Sequence, residues 1–216
     1  MSEKKKRVAG WWGWLWETFS TIVIAFLLAL FIRAFFFQAY FIPSGSMIPT
    51  LDIRARLIVN KLAYGLQNPL NGLSEYSSFL GFITSPLYRR NIPFSNFKYF
   101  VKFPRQPKRF SIVIFRSPQG WGKDLIKRVI GLPGETIALR NGAVYINNRP
   151  LKEIHQMIKD QANFGPILIP ENNYFVMGDN RPDSNDSRYW GYLPAENIQG
   201  EAMFIFWPVN RIGWIK

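Results

Sequence analysis

Residues 136–147, "TIALRNGAVYIN", decide the fold class, because two short runs of β-branched and aromatic residues flank Asn141-Gly142. Asn-Gly is the strongest two-residue signal for a type I′ turn, whose two central residues both need positive φ, so these residues predict a β-hairpin. Upstream, Pro133-Gly134 fits a second turn. Outward from the hairpin, "SIVIF" (111–115), "LIKRVI" (125–130), "NYFVM" (173–177) and "AMFIFW" (202–207) read as further strands between Gly, Pro and Asn punctuation. Helical periodicity is largely missing after residue 37, and no repeats are evident. The expectation is a mainly β domain.

The N-terminus reads differently. Lys4, Lys5, Lys6 and Arg7 precede residues 18–37, whose only charge is Arg33. About 20 helical residues at about 1.5 Å each span about 30 Å of hydrocarbon, so this segment predicts one transmembrane helix. Trp11, Trp12, Trp14 and Trp16 sit where amphipathic rings favour the headgroup layer, and Arg33 can snorkel to the far interface. A cleavable signal peptide is the competing reading. "FFFQAYFIP" (35–43) lacks a small-x-small cleavage pattern and the apolar run is long for a signal-peptide core, which favours an uncleaved anchor. The positive-inside rule then puts residues 1–17 in the cytoplasm and 38–216 outside.

A chain of 216 residues holds such an anchor plus one domain of ordinary size. The absence of Cys excludes thiol nucleophiles, disulfides and Cys-based zinc sites, and leaves the compartment open. A formal charge of +13 implies an anionic partner, and the anchor favours phospholipid over nucleic acid, which an exported domain would rarely meet. Within the insertion 65–107, the run from Tyr76 onward carries basic and aromatic residues without Asp or Glu, which suits either a solvated loop or an anionic membrane surface.

A serine needs a base within hydrogen-bond reach to become a nucleophile. The one histidine, His155, lies in the polar "KEIHQMIKD" (152–160), away from any other motif, and reads as an ordinary surface or packed residue. Lysine can replace histidine when burial keeps it neutral. On a strand, Lys127 alternates with Ile126 and Arg128 and shares a face with Leu125 and Val129. Taken alone, that pattern fits an exposed lysine on an edge strand better than a buried one.

Three motifs together change the reading. "PSGSMIPTL" (43–51), "LIKRVIGLPGE" (125–135) and "GDNRPDSNDSRYWG" (178–191) resemble, in order, the signature boxes of the type I signal peptidases, or leader peptidases, which use a Ser/Lys dyad. The resemblance implies that Ser46 is the nucleophile and Lys127 the general base, with Ser44 Oγ and the Ser46 N–H as oxyanion donors. It also implies that Ser184 orients the lysine and that Arg128, Asp179, Asp186 and Arg188 hold the site through ion pairs. Ile42, Pro43, Met47, Leu51 and Ile126 become candidate walls of the substrate pocket, although core packing would select the same apolar residues.

The implied architecture is an N-terminal transmembrane helix followed by an antiparallel β-sheet catalytic domain with a reduced second lobe over about 143–172. The implied activity is cleavage of signal peptides from exported preproteins at the plasma (inner) membrane. Its partners would be preprotein signal peptides, the phospholipid bilayer and the protein translocation machinery. No cofactor or metal is expected, because Ser/Lys chemistry needs none and the Asp- and Asn-rich 178–188 lacks EF-hand spacing. The alternatives are a Ser/Lys processing peptidase with one dedicated substrate and a catalytically silent membrane scaffold. One departure stands out: Arg109-Phe110-Ser111 replaces the family's usual Arg-Gly-Asp, which removes a structural carboxylate.

Overall fold

The structure, a computed structural model, describes residues 3–67, 99–120 and 123–215. Its first element is one long helix, α1 (Glu3–Phe35). The part from Trp11–Ile32 has a mean hydropathy of 2.1 and is long and apolar enough to cross a membrane, and none of it is buried against the rest of the protein. At 1.5 Å per residue its 22 residues span about 33 Å. The apolar run expected over 18–37 is helical only to Phe35. Phe36 turns the chain, its carbonyl accepts the Lys61 N–H (2.9 Å), and Phe37 is already the first residue of a strand. Pairing with that strand's neighbour ends the helix.

The domain after the helix is antiparallel β, as expected. Its main sheet contains β1 (Phe37–Phe41), β2 (Arg56–Asn60), β5 (Ile112–Arg116), β6 (Asp124–Gly131), β11 (Asn173–Met177), β12 (Leu193–Pro194) and β13 (Ile198–Trp207), in the order β1-β2-β13-β5-β6-β11-β12. A short β14 (Gly213–Trp214) also pairs with β13. The expected strands at 111–115, 125–130, 173–177 and 202–207 are β5, β6, β11 and β13. Alternation along β5 sends Ile112 and Ile114 into a cluster with Met47, Leu51, Leu57 and Ile126, and Val113 and Phe115 into another with Val129, Tyr174 and Val176. Both faces of the central strands are therefore covered, which is why residues 126–131 are all buried.

A second sheet runs β10-β7-β8-β9, with β7 (Thr136–Arg140), β8 (Ala143–Ile146), β9 (Arg149–Pro150) and β10 (Phe164–Leu168). Asn141 and Gly142 have φ of 48° and 77°, so the predicted hairpin turn forms with both residues left-handed. A side chain at Gly142 would also overlap the Asp160 carbonyl, so the close approach of 160 reinforces the choice of glycine. Ile130, Phe175 and Met177 from the main sheet pack with Ile137, Leu139 and Val144, fastening the hairpin to it.

The insertion expected at 65–107 is described only at its ends. There β3 (Gly65–Gln67) pairs with β4 (Tyr99–Lys102), and residues 68–98 lie outside the described residues, as does the membrane-surface expectation placed on them.

Candidate active site

Residues 42–55 form the loop between β1 and β2. Its mouth is closed by Ile42 and Ala55, which bond through the Ile42 N–H (2.9 Å), and by the Arg54 N–H donating to the Ile42 carbonyl (2.8 Å). Met47 and Leu51 are fully buried. Each such side chain contributes about 2 kcal/mol by leaving water, so the residues flanking Ser46 anchor the loop in the core. The Asn180 N–H donates to the Ser46 carbonyl (3.1 Å) and its side-chain amide to the Gly45 carbonyl (3.1 Å). Arg211 Nη2 holds the Pro49 carbonyl from the C-terminal side (2.6 Å).

Ser46 Oγ meets Lys127 Nζ at 2.8 Å. Nζ also donates to the Ile126 carbonyl (3.0 Å). The exposed-lysine reading of Lys127 does not hold: although β11 pairs with β6 only from Arg128 onward, Lys127 is opposite Val113 on β5 and its exposure is 4%. Burial disfavours the ammonium and lowers its pKa to about 8, against the opposing pull of Asp186, Asp179 and Asp183. A serine hydroxyl and a desolvated amine in contact are the parts of a nucleophile-base pair.

The expected ion pairs are present. Arg128 grips Asp179 with two bonds, Nε to Oδ1 (2.8 Å) and Nη2 to Oδ2 (2.7 Å), and donates to the Phe110 carbonyl (2.8 Å). Asp179 Oδ2 also accepts from Thr50 Oγ1 (2.5 Å), so the buried pair is tied directly to the serine loop. Arg188 binds Asp186 through Nε (2.8 Å) and also contacts Asp160, while Asp186 Oδ2 accepts the Gly178 N–H (3.0 Å). Thr50, Asn180 and Gly178 were not singled out by sequence reasoning. Their signal lies only in belonging to the same boxes, since contacts over 129 or 135 residues leave no local pattern.

A family description, "Signal peptidase, peptidase S26", matches residues 15–207. The chain belongs to this signal peptidase family. It is 37% identical over 199 residues to "Signal peptidase I" of Leptolyngbya laminosa, covering 92% of this chain and 83% of the relative. It is 35% identical over 217 residues to "Probable signal peptidase I-2" of Synechocystis sp., covering 98% and 82%. It is 32% identical over 209 residues to "Signal peptidase I" of Bacillus licheniformis, covering 92% and 91%. With the signal peptidase family shown, the chain is a serine endopeptidase, and its apolar helix makes it a membrane-anchored one.

Not every signal peptidase residue sits as the motifs suggest. Ser184 is buried, but its hydroxyl has no hydrogen-bond partner among the described residues, so the expected bond to Lys127 is not formed. The two donor bonds of Lys127 go to Ser46 and Ile126 instead. Ser184 Oγ does lie beside Gly178, where an added Cβ would come within 2.3 Å of it and 2.4 Å of the Ser46 carbonyl. Ser44 is exposed, two residues before the nucleophile candidate. Of the candidate pocket walls, Ile42, Met47, Leu51 and Ile126 belong to one core cluster, while Pro43 is exposed.

His155 is better placed than its polar segment implied. Its side chain is 5% exposed, its Nε2 is 3.5 Å from Asp179 Oδ1, and its ring packs on Phe110. Burial, and then the charge of Arg128, lower its pKa to about 4, so it is neutral at ordinary pH. At the position of the missing carboxylate, Ser111 Oγ donates to Glu201 Oε1 (2.7 Å) on β13, and Glu201 Oε2 pairs with Arg105 (2.8 Å).

Proposed function

We propose that this chain removes N-terminal signal peptides from exported preproteins, with Ser46 as nucleophile and Lys127 as general base. The 2.8 Å contact between Ser46 Oγ and a buried Lys127 of lowered pKa carries the reading. Neutral Lys127 takes the Ser46 hydroxyl proton as Oγ attacks the scissile carbonyl. The C–N bond then breaks, the leaving amine takes the proton from Lys127, and an ester acyl-enzyme remains. Lys127 next draws a proton from water, whose attack releases the signal peptide and restores Ser46.

The developing oxyanion is assigned to the Ser46 N–H and Ser44 Oγ. The Ser46 N–H makes no backbone hydrogen bond among the described residues, which supports its role as donor. Ser184, buried beside Gly178 with an unpartnered hydroxyl, is assigned to orienting the Lys127 amine on the strength of the family resemblance. Arg128, Asp179, Asp186 and Arg188 keep the loops in register.

The substrate is read as an extended strand. β11 pairs with β6 only over 128–131, so residues 124–127 have β5 on one side and an edge available on the other. A preprotein lying between that edge and 41–45 gains main-chain hydrogen bonds, and small side chains before the cut fit against exposed Pro43 and the 8% exposed Ile126, while Ile42, Met47 and Leu51 belong to the core behind them. Ser46 follows Phe35, the last helical residue, by eleven residues, so at roughly 3.5 Å per residue it works within about 40 Å of the helix end. That is where an inserted signal peptide presents its cleavage site. The assigned setting is the plasma (inner) membrane with the N-terminus cytoplasmic, the domain outside, and the translocation machinery as supplier of substrate.

The test is cleavage of a purified preprotein in detergent by the wild type, Ser46→Ala and Lys127→Ala. Cleavage at a small-x-small site by the wild type alone is expected. Equal activity in all three would overturn the assignment, and cleavage confined to one dedicated substrate would favour a specialised processing peptidase.

A further inference from the structure

The peptide unit that joins Gly45 to Ser46 carries, at one end, the N–H assigned above to the oxyanion. Its other end, the Gly45 carbonyl, is bound twice. It accepts the Ile48 N–H (3.1 Å) and the Asn180 side-chain amide (3.1 Å), whereas the Ser46 N–H makes no backbone hydrogen bond among the described residues. The two bonds fix different things. Ile48 belongs to the serine loop and moves with it, so its N–H shapes the turn without setting it against the rest of the site.

Asn180 comes from the third signature box, 135 positions away. Its backbone is pinned from both sides: the Asp179 carbonyl accepts the Ile158 N–H (2.8 Å), the Ile158 carbonyl accepts the Arg181 N–H (3.0 Å), and the Asn180 carbonyl accepts the Asp183 N–H (3.1 Å). The Asn180 N–H also donates to the Ser46 carbonyl (3.1 Å), so this one residue grips the peptide units on both sides of the Ser46 α-carbon.

A planar peptide held at its oxygen cannot rotate without breaking that bond, so a donor on the carbonyl fixes the direction of the N–H across the same unit. The bond also polarises the peptide and strengthens its N–H as a donor. Oxyanion donors act through being aimed before charge develops. Because a carbonyl oxygen only accepts, the part of the amide that faces Gly45 is its NH2, a role that an alkyl side chain of the same shape does not fill.

We propose that Asn180 is a positioning residue for the oxyanion site: its side-chain amide, acting through the Gly45 carbonyl, aims the Ser46 N–H at the oxygen of the scissile carbonyl. The inference rests on the Ser46 reading of the same site and adds the residue that orients its backbone donor.

The test uses the full chain in detergent and two variants. Asn180→Leu keeps the branched shape and removes the donor, and Asn180→Ala removes it with less bulk; both retain the backbone bond to the Ser46 carbonyl. Two peptides matching the residues before a cleavage site serve as probes, one ending in an aldehyde and the other in the corresponding alcohol. On the aldehyde, Ser46 Oγ adds to the carbonyl carbon, Lys127 takes the hydroxyl proton, and the former carbonyl oxygen carries the negative charge. The alcohol occupies the same cleft without forming that anion.

In both variants the single-turnover rate of preprotein cleavage should fall roughly 10- to 100-fold, the range for a misaimed rather than deleted donor. Aldehyde affinity should fall by a similar factor, while KM and alcohol affinity stay within about twofold, because only the tetrahedral state uses the N–H. The pH midpoint of cleavage should stay at its wild-type value, since the two bonds of Lys127 go to Ser46 and Ile126. Equal losses for aldehyde and alcohol would make Asn180 a general support and overturn the proposal, as would unchanged cleavage. A wild type that binds the aldehyde no better than the alcohol would overturn the Ser46 reading beneath it.

Discussion

Lys127 Nζ and Ser46 Oγ, 81 positions apart in the chain, lie 2.8 Å from each other inside a site where neither residue is more than 7% exposed. The pair exists because pairing with β5 fixes Lys127 opposite Val113 and because the serine loop is anchored by Met47 and Leu51. Desolvation of the amine is the property on which the reactivity depends.

Activity should therefore follow the neutral form of Lys127. With its pKa lowered to about 8, the chemical step should rise with pH through that value and level off above it. Single-turnover cleavage across about pH 6 to 10 checks this, and a flat profile would remove Lys127 as the base.

The same burial works against stability. The folded pKa of about 8 lies below the ordinary 10.5, so below about pH 8 both states bind the proton and the full cost of charging a buried amine is felt. Between 8 and 10.5 only the unfolded chain holds it, and stability rises with pH there. Lys127→Met should accordingly be inactive yet more stable than wild type at neutral pH, by up to about 3 kcal/mol, with the difference shrinking by pH 10. Urea unfolding at the two pH values is the measurement, and a destabilised Lys127→Met would contradict it.

Asp179→Asn leaves Arg128 charged and half-paired in a site where both side chains are essentially inaccessible. The expected loss is about 3 to 5 kcal/mol, accompanied by slower cleavage because Thr50 shares the same carboxylate. Arg105→Ala, which breaks an ion pair with a 53% exposed arginine, should cost under about 1 kcal/mol. Urea midpoints for both variants would show whether burial governs the difference.

Gly178→Ala is expected to damage activity more than folding. Its Cβ would fall 2.3 Å from Ser184 Oγ and 2.4 Å from the Ser46 carbonyl, so relief requires moving the nucleophile's own backbone. Cleavage should drop at least tenfold by the usual sensitivity of positioned groups to displacement. A variant with wild-type kcat/KM would show that the serine loop yields without cost.

Local chemistry alone determined much of this protein. Asn141-Gly142 needs two positive φ values and so announces its hairpin, β5 and β11 follow from β-branched and aromatic runs, and a long apolar stretch behind four basic residues announces a helix that can span a bilayer. The three boxes gave the candidate residues through resemblance. What only the tertiary structure decided depends on neighbours distant in sequence. The pattern around Lys127 reads as an exposed lysine until the folded chain buries it against Ser46, and its pKa follows from that burial. His155 sits in a polar segment yet packs against Phe110 beside Asp179. Ser111 lacks the family's carboxylate, and its hydroxyl bonds instead to Glu201 on β13, 90 positions away. Sequence periodicity records which face a residue takes, whereas desolvation and charge pairing are sums over everything that packs against it, and those sums exist only in the folded chain.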